Sequence, residues 1–233
     1  MLLDVVFVRH GLSCANVLAK IPFGGHFLYP DPELTKQGIF MCKSLSATFI
    51  KNTFTIWGDE PYSICASQMI RAQQTAFYMI ASSLGAPINV VPHIAETGIT
   101  TDNYALPHAE QIHIMTEKDP AIVDLLLKGK DGRKKQSLFD KSNMNKFLAW
   151  AKENPTYFAK GSDGVYRAVI FTHGHFLKGV FGLKFDMKNH EAIHTKIDTD
   201  KPESIKNRFQ YWPIHKSFGL ANCPNECLIT YCE

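Results

Sequence analysis

Two uninterrupted apolar runs, Val5–Val8 and Val169–Phe171 with Ala168 before it, break off in Arg9-His10-Gly11 and Thr172-His173-Gly174. Runs of this length without polar alternation fit strands covered on both faces. Ile88–Val91 and the shorter Tyr62–Ala66 read as further strands. Between them the period changes. Thr35 caps a helix expected to run to about residue 51, and a second helix is expected from about Gln68 to Leu84. Residues 97–145 carry no strand signal and predict helices and loops outside the sheet. A helix at about 142–153 leads through Gly161-Ser162-Asp163-Gly164 into the strand Ala168–Thr172, followed by a helix over His175–Gly182 and strands near 191–198 and 227–232. This alternation predicts an α/β fold, a three-layer αβα sandwich with a mainly parallel sheet and an insertion over one edge.

In such sheets ligands sit beyond the carboxyl ends of the strands. The residues expected there carry chemistry. Arg9, His10 and the free amides after Gly11 suit a phosphate. Ser67 is read as the cap of the second helix, which puts Arg71 in its first turns, where a cation opposes the helix dipole unless an anion is bound. His173 ends a second buried strand, and Glu96 follows the third. His173-Gly174-His175 also has the form of a metal-ligand pair, but no cluster elsewhere has a matching spacing.

The chain of 233 residues, 45% hydrophobic, is long enough for one large core plus an insertion at about 97–160. A net charge of +3 speaks against a nucleic-acid partner. No apolar run approaches the length of about 20 residues needed to span a membrane, and the first residues form a strand rather than a leader. Cysteines 14, 42, 65, 223, 227 and 232 lack CxxC spacing. A zinc site at Cys223, Cys227 and Cys232 is the less favoured reading, and a reduced, cytoplasmic protein the simpler one.

In order and spacing, these segments resemble the histidine phosphatase superfamily, with its phosphoglycerate-mutase-like fold. The resemblance is carried by Arg9-His10-Gly11 with Asn16, Leu34-Thr35-x-x-Gly38, Ser67-x-x-x-Arg71-Ala72-x-Gln74-Thr75-Ala76, Glu96 and His173-Gly174. It implies that His10 is the nucleophile, that Arg9, Arg71 and His173 form the phosphate pocket with Asn16 assisting, and that Glu96 donates the proton. It implies no metal or other cofactor. Leu12 stands where the family often has Glu. Gly174-His175 after His173 is unlike the acid-phosphatase branch, so the mutase-like branch is the better match. Asp102 and His175 are reserve proton donors.

The function implied is hydrolysis of phosphomonoesters, on a small molecule or a phosphoprotein, through a phosphohistidine. The alternatives are a phosphoglycerate-mutase-type phosphotransferase and an inactive phosphate-binding module. Lys128, Lys130, Arg133, Lys134 and Lys135 are either a solvated loop or a means of attracting a multiply charged substrate. Phe23, Phe27, Tyr29 and Tyr104 equally suit a less polar pocket.

Overall fold

The computed structural model describes residues 1–19, 29–98, 100–134, 143–201 and 209–213. β1 (Leu2–Arg9) is buried from Leu3 to Val8. Its side chains alternate between two cores: Val6 and Val8 join one apolar cluster, and Leu3, Val5 and Phe7 join the other. That alternation defines three layers with the sheet in the middle. The strand order is β3 (Ile88–Val91), β2 (Ser63–Ser67), β5 (Tyr166–Thr172), β1, β6 (Ala192–Asp198), β7 (Phe209–Trp212), with the two-residue β4 (Ala159–Lys160) also on β5. β3, β2, β5 and β1 are mutually parallel, whereas β6 pairs antiparallel with β1 and β7 antiparallel with β6.

After the short α1 (Cys14–Leu18), α2 (Lys36–Trp57) begins at the expected cap: Thr35 accepts from the Gly38 amide. Thr35 Oγ1 also donates to the Leu12 carbonyl at 3.2 Å, and a side chain at Gly38 would collide with that same carbonyl. The Leu-Thr-x-x-Gly stretch therefore docks a helix start against the loop after His10. Gly38, Cys42, Leu45, Phe49, Thr53 and Trp57 form the buried stripe of α2, at helical spacing. The second expected helix starts later than its sequence suggests. α3 (Ile70–Ala76) passes through a π turn at Phe77–Ala81 into α4 (Ser82–Leu84).

α5 (His108–Lys118) and α6 (Pro120–Lys128) form the helical part of the insertion. Asp119 caps α6 at a proline start. Its Ile122, Val123, Leu125 and Leu126 belong to the same apolar cluster as Val6 and Val8. The insertion does touch the sheet at one point, contrary to expectation. Asp131 bridges Val90 in parallel, with Val90 N donating to Lys130 O (2.9 Å) and Gly132 N to Val90 O (2.8 Å). α7 (Met144–Glu153) and α8 (Gly174–Phe181) fill the second core with Phe147, Leu148, Phe176 and Leu177.

β7 lies in a stretch without a readable pattern, too short to announce itself. The strand expected at 227–232 and the cysteines Cys223, Cys227 and Cys232 lie outside the described residues. Among the described residues, Cys42 and Cys65 are buried free thiols.

Candidate active site

Register brings the site together. β1 and β5 pair in parallel with Arg9 opposite Thr172, so His10 and His173 leave the sheet side by side. Their ring centroids are 5.1 Å apart. β2 pairs with β5 through Ala66 and Phe171, which delivers Ser67 to the same rim, and Ser67 pairs with Val91 of β3, whose chain continues to Glu96.

His10 is 1% exposed. Its Nδ1–H donates to Gly11 O at 2.7 Å, and its Nε2 accepts from Arg71 Nε at 3.3 Å. Both contacts select the tautomer whose lone pair is on Nε2. Burial, then the charges of Arg71 and Arg9, hold the His10 pKa well below the ordinary histidine value. The same causes, with His10 and His175 added, hold His173 down. His173 Nε2 meets Ser67 Oγ at 2.9 Å. The expected cap role of Ser67 is therefore corrected: it ends β2, and Met69 is the cap position of α3.

The backbone N–H of Ile70 is instead satisfied by Asp31 Oδ1 at 2.9 Å. Asp31 was not singled out in the sequence because it lies in an aperiodic loop and acts over a long sequence separation. It also accepts from Leu106 N at 3.1 Å and from Gln111 Nε2, and burial pushes its carboxyl up to about 6. Asp31 has φ 45°, a conformation that Asn tolerates as well. Asp31→Asn therefore keeps the backbone but turns one acceptor into a donor facing donors. We expect a loss of about 1–3 kcal/mol in urea unfolding, with the midpoint lowered and the slope unchanged.

Arg71 is buried, and Nη1 donates to Asp102 O at 2.8 Å. Burial works against its charge, while the carboxylates of Glu96, Asp31 and Asp102 support it. Arg9 donates through Nη1 to Met187 O, and its Nε is buried without an acceptor. A Cβ on Gly174 would lie 2.9 Å from that Nε, so glycine after His173 lets the guanidinium pass. His173 Nδ1 is likewise buried without a partner. The unmet Nε–H of Arg9, beside a second arginine and the unpartnered His173 Nδ1, is suited to the oxygens of an anion.

Glu96 completes the rim. Its Oε1 accepts from Thr97 N at 3.1 Å and lies 3.6 Å from His175 Nδ1; the Glu96 side chain is 10% exposed and that of His175 71%. Ligand atoms of His10, His173 and Glu96 all fall within 4.8 Å of one another. Two imidazoles and a carboxylate form a donor set that a divalent cation would accept. Arg9 and Arg71, whose charges act on both imidazoles, oppose a cation at that point and favour an anion.

The other expected residues fall into place unevenly. Asn16 Oδ1 accepts from Ser13 N (3.2 Å), Ser13 Oγ (3.1 Å) and Asn189 Nδ2 (3.2 Å), so its oxygen braces the loop after His10. Asp102 presents its backbone carbonyl to Arg71 and is 9% exposed. Thr75 Oγ1 accepts from Gly11 N at 2.9 Å, and Gln74 Oε1 from Leu34 N at 2.7 Å, which gives two motif residues a physical role in holding that loop. Asn189 was missed. Its Nδ2 reaches the carbonyls of His10 (2.9 Å) and Gly11 (3.1 Å), contacts to backbone that leave no sequence pattern. Tyr104 and Tyr29 line separate clefts, and Phe23 and Phe27 lie outside the described residues. Among the described residues no helix is long and apolar enough to cross a membrane.

A family model described as histidine phosphatase superfamily (branch 1) matches residues 5–204, and the chain belongs to that superfamily. Among solved structures it is similar to the mycobacterial glucosyl-3-phosphoglycerate phosphatase, with 17% identity, TM-score 0.51, and 91% of this chain and 97% of that one covered. A complex of a mycobacterial glucosyl-3-phosphoglycerate phosphatase with VO3 aligns at 20% identity and TM-score 0.50, over 89% and 96%. A phosphoserine phosphatase mutant from Entamoeba histolytica, in complex with phosphoserine, aligns at 15% identity and TM-score 0.50, over 93% and 100%. At such identities these likenesses establish the fold alone. No curated protein matches the chain at a significant level.

Proposed function

We propose that the protein is a phosphomonoester phosphatase that works through a phosphohistidine on His10. The observation that carries this reading is the His10 imidazole itself. Nδ1 is tied to Gly11 O and Nε2 lies free of a proton beside Arg71, with His173 and Glu96 within reach. Nε2 attacks phosphorus in line, while Arg9, Arg71 and His173 hold the non-bridging oxygens and offset developing charge. The P–O bond to the alcohol breaks, and Glu96 gives its proton to the departing oxygen. As a carboxylate, Glu96 then takes a proton from water, which attacks the phosphohistidine and frees inorganic phosphate with Nε2 restored. Similar folds named as phosphatases support the reaction class.

A mutase shares every one of these residues but must retain its dephosphorylated intermediate. Beyond Glu96 stand Thr97, Thr100, Thr101 and Asn103, uncharged, and Asp102, which repels an anion. Water is therefore expected to win. The test is phosphate release from aryl and alkyl phosphates with chelator present, alongside 3-phosphoglycerate with a bisphosphoglycerate primer. Rapid 2-phosphoglycerate formation with little free phosphate would establish the mutase instead.

The attacking imidazole must be neutral. Because its pKa is held well below the ordinary value, lowering the pH through about 6.5 should not protonate it. We expect kcat/KM to stay level there and to decline only at lower pH. A decline centred at the ordinary histidine value would show that His10 titrates as an exposed imidazole.

A further inference from the structure

Gly11 is the loose joint of the site. A Cβ there would lie 2.7 Å from His190 Nε2 and 3.2 Å from both Cys42 Sγ and a Leu34 methyl, so packing demands glycine. Glycine leaves the backbone on either side of it freer to turn than any other residue would. Yet the Gly11 carbonyl is the group that fixes the His10 ring, because it accepts from Nδ1–H at 2.7 Å. A carbonyl that swings lets the imidazole swing with it, or lets the proton pass to the other nitrogen. Some other group must hold it still.

The carboxamide of Asn189 stands at that joint. Its Nδ2 donates to His10 O at 2.9 Å and to Gly11 O at 3.1 Å, the carbonyls on either side of the glycine. The peptide between His10 and Gly11 is thereby pinned at both ends, since Gly11 N donates to Thr75 Oγ1 at 2.9 Å. Gly11 O has two lone pairs, one for the His10 Nδ1–H and one for Asn189. A third neighbour of Nδ2, Asn16 Oδ1 at 3.2 Å, itself accepts from Ser13 N and Ser13 Oγ. Nδ2 thus faces three oxygens that accept, which decides the end of the amide turned toward the loop. The backbone around Asn189 is anchored without its side chain. His190 N donates to Arg9 O at 3.0 Å, Arg9 N donates to Glu191 O at 2.9 Å, and Met187 O accepts from the Arg9 guanidinium.

We propose that Asn189 is a positioning residue for the reaction: by holding the Gly11 carbonyl, it keeps the His10 proton on Nδ1 and the Nε2 lone pair on the line of attack. It acts through the backbone and touches no reacting atom. The proposal rests on the phosphohistidine reading, and spectroscopy of the ring separates the two because it needs no turnover. Asn189→Ala removes both donors and leaves the backbone contacts of His190 and Glu191 in place. On an alkyl phosphate kcat should fall about 10²-fold, the usual result of a small misplacement of a reacting group. KM should change little, as expected when an interaction made in the transition state is lost. Inorganic phosphate should bind as to wild type, since Arg9 and Arg71 are untouched. Nitrogen NMR of the labelled His10 ring should show Nδ1 protonated and Nε2 bare in the wild type, and an average of the two tautomers in the variant. If Asn189→Ala does not fold, Asn189→Ser carries the test. Its hydroxyl has one hydrogen for two carbonyls, so a smaller kcat loss with the same averaging is expected. An unchanged kcat, a kcat loss that brings loss of phosphate binding with it, or a wild-type tautomer in the variant overturns the proposal. The tautomer change in a protein whose wild type releases no phosphate sinks the phosphatase reading alone.

Discussion

Replacing His10 with alanine is expected to lower phosphate release by about four orders of magnitude or more, the usual consequence of removing a covalent nucleophile. The geometry allows no simple substitute. His173 is a neighbouring imidazole, but its Nε2 is engaged with Ser67 Oγ at 2.9 Å, whereas among the described residues His10 Nε2 meets the Arg71 guanidinium. Arg9 and Arg71 would remain, so phosphate binding should survive in the variant. The fold should survive too. The loop after His10 is held by Thr75 on the Gly11 amide and by Thr35 on the Leu12 carbonyl, and neither contact uses the imidazole. The direct readout is the intermediate. Brief exposure of wild-type protein to radiolabelled substrate, quenched in base, should leave an acid-labile label on His10 and none in His10→Ala. Label on His173, or turnover retained in His10→Ala, would overturn the assignment.

The sequence already held both halves of this pocket because each lies at the end of a fully buried strand. Val5–Val8 and Val169–Phe171 must sit side by side in a sheet, and a polar residue after such a run can only emerge at the rim. Parallel register then sets His10 beside His173. The sequence was less informative where side chains act on backbone groups far away. Asp31, which satisfies Ile70 N, and Asn189, which binds the His10 and Gly11 carbonyls, sit in loops without periodicity. Ser67 shows the opposite failure. A serine before a helix is a good cap by local rules, but the tertiary partner His173 captured its hydroxyl. The basic run was visible as composition, yet the bridge to β3 sets Arg133 and Lys134 apart from Lys128, which pairs with Asp124 on the outer surface.

Glu96→Gln should divide substrates by leaving group. An alkyl alkoxide needs a proton as the P–O bond breaks, so losing the donor should cost about 10²–10⁴ in kcat on alkyl phosphates. Nitrophenolate departs without much help and should show a far smaller loss. Charge effects alone give a different pattern. Glu96 is the largest attractive charge on both Arg9 and Arg71, and its neutralisation leaves two buried cations with less compensation. That should tighten phosphate binding for every substrate alike and lower KM irrespective of leaving group. The split in kcat is therefore the signature of proton donation, and a shared drop in KM the signature of charge. His175 is the natural control, since it faces Glu96 at 3.6 Å yet is 71% exposed. If Glu96 is the donor, His175→Ala should change alkyl and aryl rates by the same modest factor. Equal losses on alkyl and aryl phosphates in Glu96→Gln, with the alkyl-specific loss appearing in His175→Ala or in Asp102→Asn, would move the donor to that residue.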